Sequence, residues 1–348
     1  MAAMMRGRLG ATITVLSIGI IVVGLFSLGL GQLNLNPMEV LYILLKPLGI
    51  DLGITLDNPY AEAGFWSIRP PRLLMSLLVG IALAVSGLLM QAVFGNPLAE
   101  PGVVGVSSGA ALGAASAIVL GLTFLGEWTI PVLAFIGGLI TTLIVYTFSR
   151  NKGKTEVVTL LLAGIAINAF AGAGIAFLSF LGDTQSREQI VFWQLGSLNG
   201  SRWIHVAVVV VPIVLGVIIS FFLVGKLDLL SLGEKSARHL GVNVERLRLV
   251  TIILVAFMVA AAVSFAGIIS FVGLVVPHLM RMILGPRHLP LLITSVLGGG
   301  LLLMLADLGA RTLINMSDLP IGMFTALVGG PFFFYLLYRN RKAAGGWG

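Results

Sequence analysis

The chain has 348 residues, of which 58% are hydrophobic and only 10% charged, with a mean hydropathy of +1.06. Soluble domains carry about 25% charged residues, so this composition excludes a soluble fold and reads as a polytopic membrane protein. The net charge of +7 is that of a protein whose lysines and arginines hold one membrane face, not of a nucleic-acid binder, and the absence of cysteine excludes a disulfide framework or a thiolate metal site.

Long uncharged runs without period-two alternation select transmembrane helices over a barrel. The first run, Leu9–Leu30, follows Arg6 and Arg8. It is too long for a signal-peptide core and is expected to be a retained helix. The segment Gln32–Ile68 carries Asp51, Asp57 and Glu62 and ends at Arg69-Pro70-Pro71-Arg72. A span over Leu73–Phe94 then meets a polar break, Gly95-Asn96-Pro97-Leu98-Ala99-Glu100-Pro101, before a Gly/Ser-rich span, Gly102–Leu125. Trp128–Ser149, Val157–Leu181 and Ile204–Val224 are further spans. The stretch 226–248 mixes leucines with charges around Gly233 and Gly241, which predicts short amphipathic helices beside the membrane. Leu249–Leu284 is too long for one span; Gly267 and Gly273 offer a break into two. Leu289–Leu305 and Ile321–Tyr338 complete the chain.

Charge placement decides the topology. With two spans in Leu249–Leu284 there are about ten helices and both termini are cytoplasmic. Only Lys46, Arg69, Arg72, Arg187, Arg202 and Arg311 of the 21 basic residues then fall outside. One span there would invert the later segments and divide the basic residues almost evenly, against the positive-inside rule. The expected fold is a single all-α transmembrane domain, residues 1–348, with a cytoplasmic segment at 226–248.

No catalytic or metal-ligating constellation emerges. His205, His239, His278 and His288 have no i, i+4 relation; His205 reads as an interfacial polar residue rather than a haem ligand. Ser107 and Ser108 lack an Asp/His partner and read as small packing residues. No Walker sequence G-x-x-x-x-G-K-[ST] occurs, so the chain does not energise transport through such a site of its own. Asp307 and Arg311 lie four apart on one helical face and can pair. Asn168, in a Gly/Ala-rich run, is expected to serve helix packing.

Four blocks of residues resemble the permease subunits of ABC importers for haem, ferric siderophores and vitamin B12. They are Arg69-Pro70-Pro71-Arg72 with Ser86-Gly87 and Gln91; Asn96 to Pro101 through Gly105-Val106-Ser107; Leu232-Gly233 with Ala237-Arg238 and Leu240-Gly241; and Phe271 to Leu274 through Pro277-His278 and Arg281. Gly196-Ser197-Leu198, Ala306-Asp307, Arg311 and Leu319-Pro320-Ile321-Gly322 add to the match, which covers nearly everything from Arg69 onward. Where the family often has Arg before the Asn-Pro pair, this chain has Gly95.

The resemblance implies a multi-pass inner-membrane protein and a homodimer in lipid with a central pathway. Two ATPase subunits would use ATP and Mg, an external substrate-binding protein would deliver cargo, and the permease would hold no permanently bound cofactor. It implies binding-protein docking at Arg69, Arg72 and Arg311, and a cytoplasmic gate at Asn96 and Leu98. It implies ATPase coupling through Leu232, Gly233, Ala237, Arg238, Leu240 and Gly241. The run Ala99-Glu100-Pro101-Gly102 followed by Gly105-Val106-Ser107-Ser108-Gly109-Ala110 looks most like haem permeases, with siderophore or cobalamin as the alternative cargo. An ion-driven secondary transporter would need a buried acidic relay that the helix centres lack, and an intramembrane enzyme would need a nucleophile–base pair. A weak similarity between Val85–Gly105 and Val263–Gly285 hints at an inverted internal repeat.

Overall fold

Uncharged sequence of membrane length becomes helix almost throughout the computed structural model, which describes residues 2–31, 35–50, 52–54, 56, 59–151, 153–314 and 318–343. Asp51 and Asp57 lie outside the described residues. Thirteen α-helices follow in chain order among the described residues. They are α1 Ala2–Gly29, α2 Pro37–Leu45, α3 Ala61–Phe94, α4 Val106–Val119, α5 Thr129–Phe148, α6 Val157–Leu181, α7 Thr184–Leu195, α8 Trp203–Leu230, α9 Glu234–His239, α10 Val244–Ala266, α11 Val272–Leu284, α12 His288–Thr312 and α13 Ile321–Ala343. Seven contain segments long and apolar enough to cross a membrane, and α4, α11 and α13 contain shorter apolar ones. These ten are the spans read from sequence; α2, α7 and α9 are short helices between them.

Local chemistry sets the boundaries. Asn36 caps α2 in a capping box with Glu39, and Pro37 starts the helix. Asp183 caps α7 through the Ser186 amide (2.7 Å), and Asn243 caps α10 through the Arg246 amide (3.0 Å). A two-strand hairpin, β1 Arg150–Asn151 with β2 Lys154–Thr155, joins α5 to α6, pairing Arg150 with Thr155 and Asn151 with Lys154.

Helices α8 and α12 run on past their expected ends, to Leu230 and Thr312, and three further differences bear on packing. First, α3 does not begin at Leu73 but runs through Pro70 and Pro71 from Ala61. Pro70 has no N–H for the Trp66 carbonyl; that carbonyl instead accepts the Trp203 Nε1–H of α8 at 2.8 Å. Second, α4 covers only Val106–Val119; the preceding Pro101–Val104 forms a 3₁₀ turn ended by Gly105 at φ 80°. Third, the break in the Leu249–Leu284 region falls at 267–271, while Gly273 lies inside α11. Gly273 serves close packing: a methyl there would stand 2.8 Å from the Leu83 carbonyl of α3, and one on Gly87 would overlap the Gly273 backbone.

Helix α3 is the centre of the bundle, with α10 beside it; 78% and 72% of their apolar windows are buried, against 17% for α6 and 6% for α1. Helices α3 to α6 and α10 to α13 share a sequence of lengths in which the second helix is short, 14 residues in α4 and 13 in α11. With α3 entering from outside and α10 from inside, the two sets run in opposite directions, as the inverted-repeat reading requires.

Candidate functional site: two polar ends of an apolar bundle

Polar side chains gather at the two ends of the bundle. At the outer end, α1 stops at Gly29 and leaves its last carbonyls without intrahelical donors. Two arginines satisfy them. Arg69 Nη1 donates to the Leu28 carbonyl and to the Gly29 carbonyl, the latter at 2.8 Å. Arg311 donates to the Ser27 carbonyl (2.6 Å) and the Leu30 carbonyl (3.0 Å). Positive charge at a helix C-terminus is also favoured by the helix dipole. Arg72 Nε donates to Asp307 Oδ1 and its Nη1 to Asp318 Oδ2, each at 2.9 Å. Asp307 and Arg311 do meet, as their spacing suggests, with Nε and Oδ2 3.5 Å apart; the shorter contact of Asp307 is to Arg72.

The structure therefore brings the three outer arginines together, with their side chains largely buried. Arg69 is 5% exposed, and the side chains of Arg72 and Arg311 are 11% and 7% exposed. Their charges answer helix-end carbonyls and carboxylates of this chain, so they tie α1, α3, α12 and the approach to α13 together.

At the inner end, the expected gate lies on a tight turn between α3 and α4. The Leu98 amide donates to Asn96 Oδ1 at 2.9 Å, and the Ala99 amide to the Asn96 carbonyl at 3.1 Å. Leu98 stands 40% exposed. Glu100 follows, and burial pushes its carboxyl above the ordinary range. The 3₁₀ turn behind it is held by Asn168 of α6, whose Nδ2 donates to the Gly102 carbonyl (3.3 Å) and whose Oδ1 accepts from Ser108 (2.5 Å). Asn168 thus packs α6 against this 3₁₀ turn and the start of α4.

The expected coupling segment centres on α9. Helix α8 runs to Leu230 and α10 starts at Val244, so the part between helices is narrower than 226–248. Gly233 (φ 99°) and Gly241 (φ 85°) bracket α9 with turns that side chains rarely adopt. Ala237 is buried beneath it, while Leu232 and Leu240 project at 64% and 59% exposure. Arg238 lies 3.5 Å from Glu234 and 3.4 Å from Glu245.

Sequence reading missed the residue that anchors this segment. Arg248, with a 4% exposed side chain, holds Glu234 at 2.5 Å and donates to the Thr155 carbonyl at 3.1 Å. Glu245 accepts the Thr155 amide at 2.7 Å. Asp228 takes both the His288 amide (2.9 Å) and its Nδ1 (2.6 Å). No local signal marks it, because its partner Glu234 lies 14 residues earlier on a different helix.

Comparison with known proteins places this arrangement. Residues 19–339 match the family described as the FecCD transport family. The hemin transport system permease protein of Yersinia pestis is 40% identical over 338 residues, covering 95% of this chain and 98% of that protein. The cobalamin import system permease protein of Halobacterium salinarum is 41% identical over 277 residues, covering 79% and 73%. A solved structure titled as an inward-facing conformation of a putative metal-chelate type ABC transporter superposes with a TM-score of 0.82 at 33% identity, covering 94% of this chain and 98% of that one. Ten apolar helices, a polar cytoplasmic end and a match along nearly the whole length make this chain a multi-pass membrane permease of the FecCD transport family.

Proposed function

We propose that this permease carries an iron chelate, haem in the first place, across the inner membrane toward the cytoplasm. The observation that carries the cargo is the near full-length match to a hemin permease. The resemblance of the block from Ala99 to Ala110 points the same way. Cobalamin is the second reading, favoured by the identity of the Halobacterium salinarum relative.

Two copies enclose the pathway in this reading. Helix α6 supports it: Ala166, Ala169, Ala173 and Ala176 form an exposed small-residue face at helical spacing, which suits close approach of a second membrane helix. Asn96 and Leu98 close the cytoplasmic mouth. Two separate ATPase subunits grip Leu232 and Leu240 and use ATP and Mg²⁺. Gly233, Ala237, Arg238 and Gly241 hold the shape of that grip. An external binding protein docks at the outer end. Arg69, Arg72 and Arg311 serve that docking from beneath, by fixing the surface formed by the end of α1 and the loop before α13.

The cargo test is uptake into proteoliposomes holding the permease with its ATPase and binding protein. Haem should be taken up in preference to ferric siderophores and cobalamin. Preferential cobalamin uptake would replace the cargo and leave the transport reading intact.

A further inference from the structure

A cavity of about 520 Å³ opens at the cytoplasmic end between the gate turn and α9. Its walls include Gln91 of the last turn of α3, Pro97 of the turn that follows, Glu234 of α9, Arg248 of α10, Arg281 of α11 and Pro286. It lies beside the end of α3, the most buried span.

The charges around it do not balance locally. Arg248 is answered by Glu234, and His288 by Asp228. Arg281 is different: Nη1 donates to Gln91 Oε1 at 2.8 Å, a neutral partner, and among the described residues no carboxylate forms an ion pair with it. Arg248 lines the wall, its Nε buried without a hydrogen-bond partner among the described residues. A partly buried guanidinium against a neutral amide is costly without an anion. Gly233 and Glu234 line this cavity and also belong to the segment read above as the ATPase grip, so a subunit seated on Leu232 and Leu240 would lie over its mouth.

We propose that this cavity is a socket for a carboxylate side chain of the ATPase subunit, with Arg281 as its counter-cation and Arg248 in its wall. The inference rests on the reading that an ATPase grips α9. It adds a second, electrostatic anchor some distance from the two leucines, between the inner ends of α11 and α3. Through Gln91 and Arg281 the anchor reaches the last turn of α3, immediately before the gate turn.

The test compares binding of purified ATPase to wild type, R281K and R281Q at low and high salt, with melting temperature measured alongside. R281Q should bind roughly 30-fold more weakly or worse, as for loss of one partner of a desolvated interfacial charge pair. It should also lose part of the salt dependence, and R281K should retain it. Wild-type affinity and salt slope in R281Q would overturn the socket. A second measurement does not depend on R281Q folding. In this cysteine-free chain, Pro286→Cys should react with a soluble maleimide and be protected when ATPase is added. Full reactivity inside a formed complex would overturn the socket alone; a wild-type permease that binds no ATPase would overturn both readings. Protection by inorganic phosphate or by phosphatidylglycerol vesicles without ATPase would replace the carboxylate by a phosphate ligand and so overturn the proposal.

Discussion

Asp307 is the residue whose removal should hurt most at the outer end. Its side chain is 1% exposed and touches Arg72 at 2.9 Å and Arg311 at 3.5 Å. In Asp307→Asn the amide oxygen can still accept one hydrogen bond, but two neighbouring guanidiniums lose the charge between them. Breaking a buried ion pair from one side costs about 3–5 kcal/mol, and the retained hydrogen bond argues for the lower end, about 3 kcal/mol. At roughly 2 °C per kcal/mol for a chain above 200 residues, the expected fall in melting temperature is about 6 °C. Glu127→Gln supplies the contrast: its partner Arg202 is just as close, 2.7 Å, but the two side chains are 52% and 58% exposed. An exposed pair contributes at most about 1 kcal/mol, so this variant should melt within about 2 °C of wild type. The assay is thermal unfolding in detergent micelles, read by loss of the monodisperse peak on fluorescence-detected size exclusion. If Asp307→Asn melts no lower than Glu127→Gln, the buried network does not hold the outer end together.

Three further outcomes follow from the geometry. Gly87→Ala puts a methyl into the Gly273 backbone and should cost up to about 3 kcal/mol of stability; Gly225→Ala, with open space around it, should be neutral or stabilising by about 1 kcal/mol. Equal melting temperatures for the two would contradict the α3–α11 contact. Burial raises the Glu100 carboxyl above its ordinary value, so the charged form is the one that folding disfavours. Glu100→Gln should therefore gain stability over wild type as pH rises through that raised value, and the gain should vanish below the ordinary carboxylate range; a gap independent of pH between acid and neutral conditions would refute the assignment. Finally, Ser236→Cys on α9 should react with a membrane-impermeant maleimide only from the cytoplasmic side and Thr123→Cys, between α4 and α5, only from outside. The reversed pattern would refute the topology.

The spans and their orientation were legible because they rest on single-residue properties: an uncharged run of sufficient length, and the side on which lysine and arginine collect. In Leu249–Leu284 length speaks against one span and charge placement demands two helices. Both Gly267 and Gly273 signal flexibility in a sequence, and only packing distinguishes the one that ends α10 from the one that lets α11 touch α3. Pro70 and Pro71 read locally as the start of a helix at Leu73, because the indole that takes up the freed Trp66 carbonyl comes from Trp203, far along the chain. The i, i+4 spacing of Asp307 and Arg311 was legible, but the α1 carbonyls that Arg69 and Arg311 reach, and the Asp307 and Asp318 carboxylates that Arg72 reaches, carry no sequence signature of those contacts. Arg248 was counted among loop charges because nothing local marks it as buried. Contacts within a few residues were readable; contacts between helices were not, and the polar ends of this bundle are built from the latter.

The central claim is that this chain is the membrane path of an ATP-driven importer. It is tested most directly by uptake of labelled haem into proteoliposomes containing the permease and its binding protein, with and without the separate ATPase, in the presence of ATP and an ionophore that collapses ion gradients. Uptake that requires the ATPase and ATP and persists with the ionophore is the predicted result. Uptake that proceeds without the ATPase and stops when the ion gradient is collapsed would contradict the account and identify a secondary transporter.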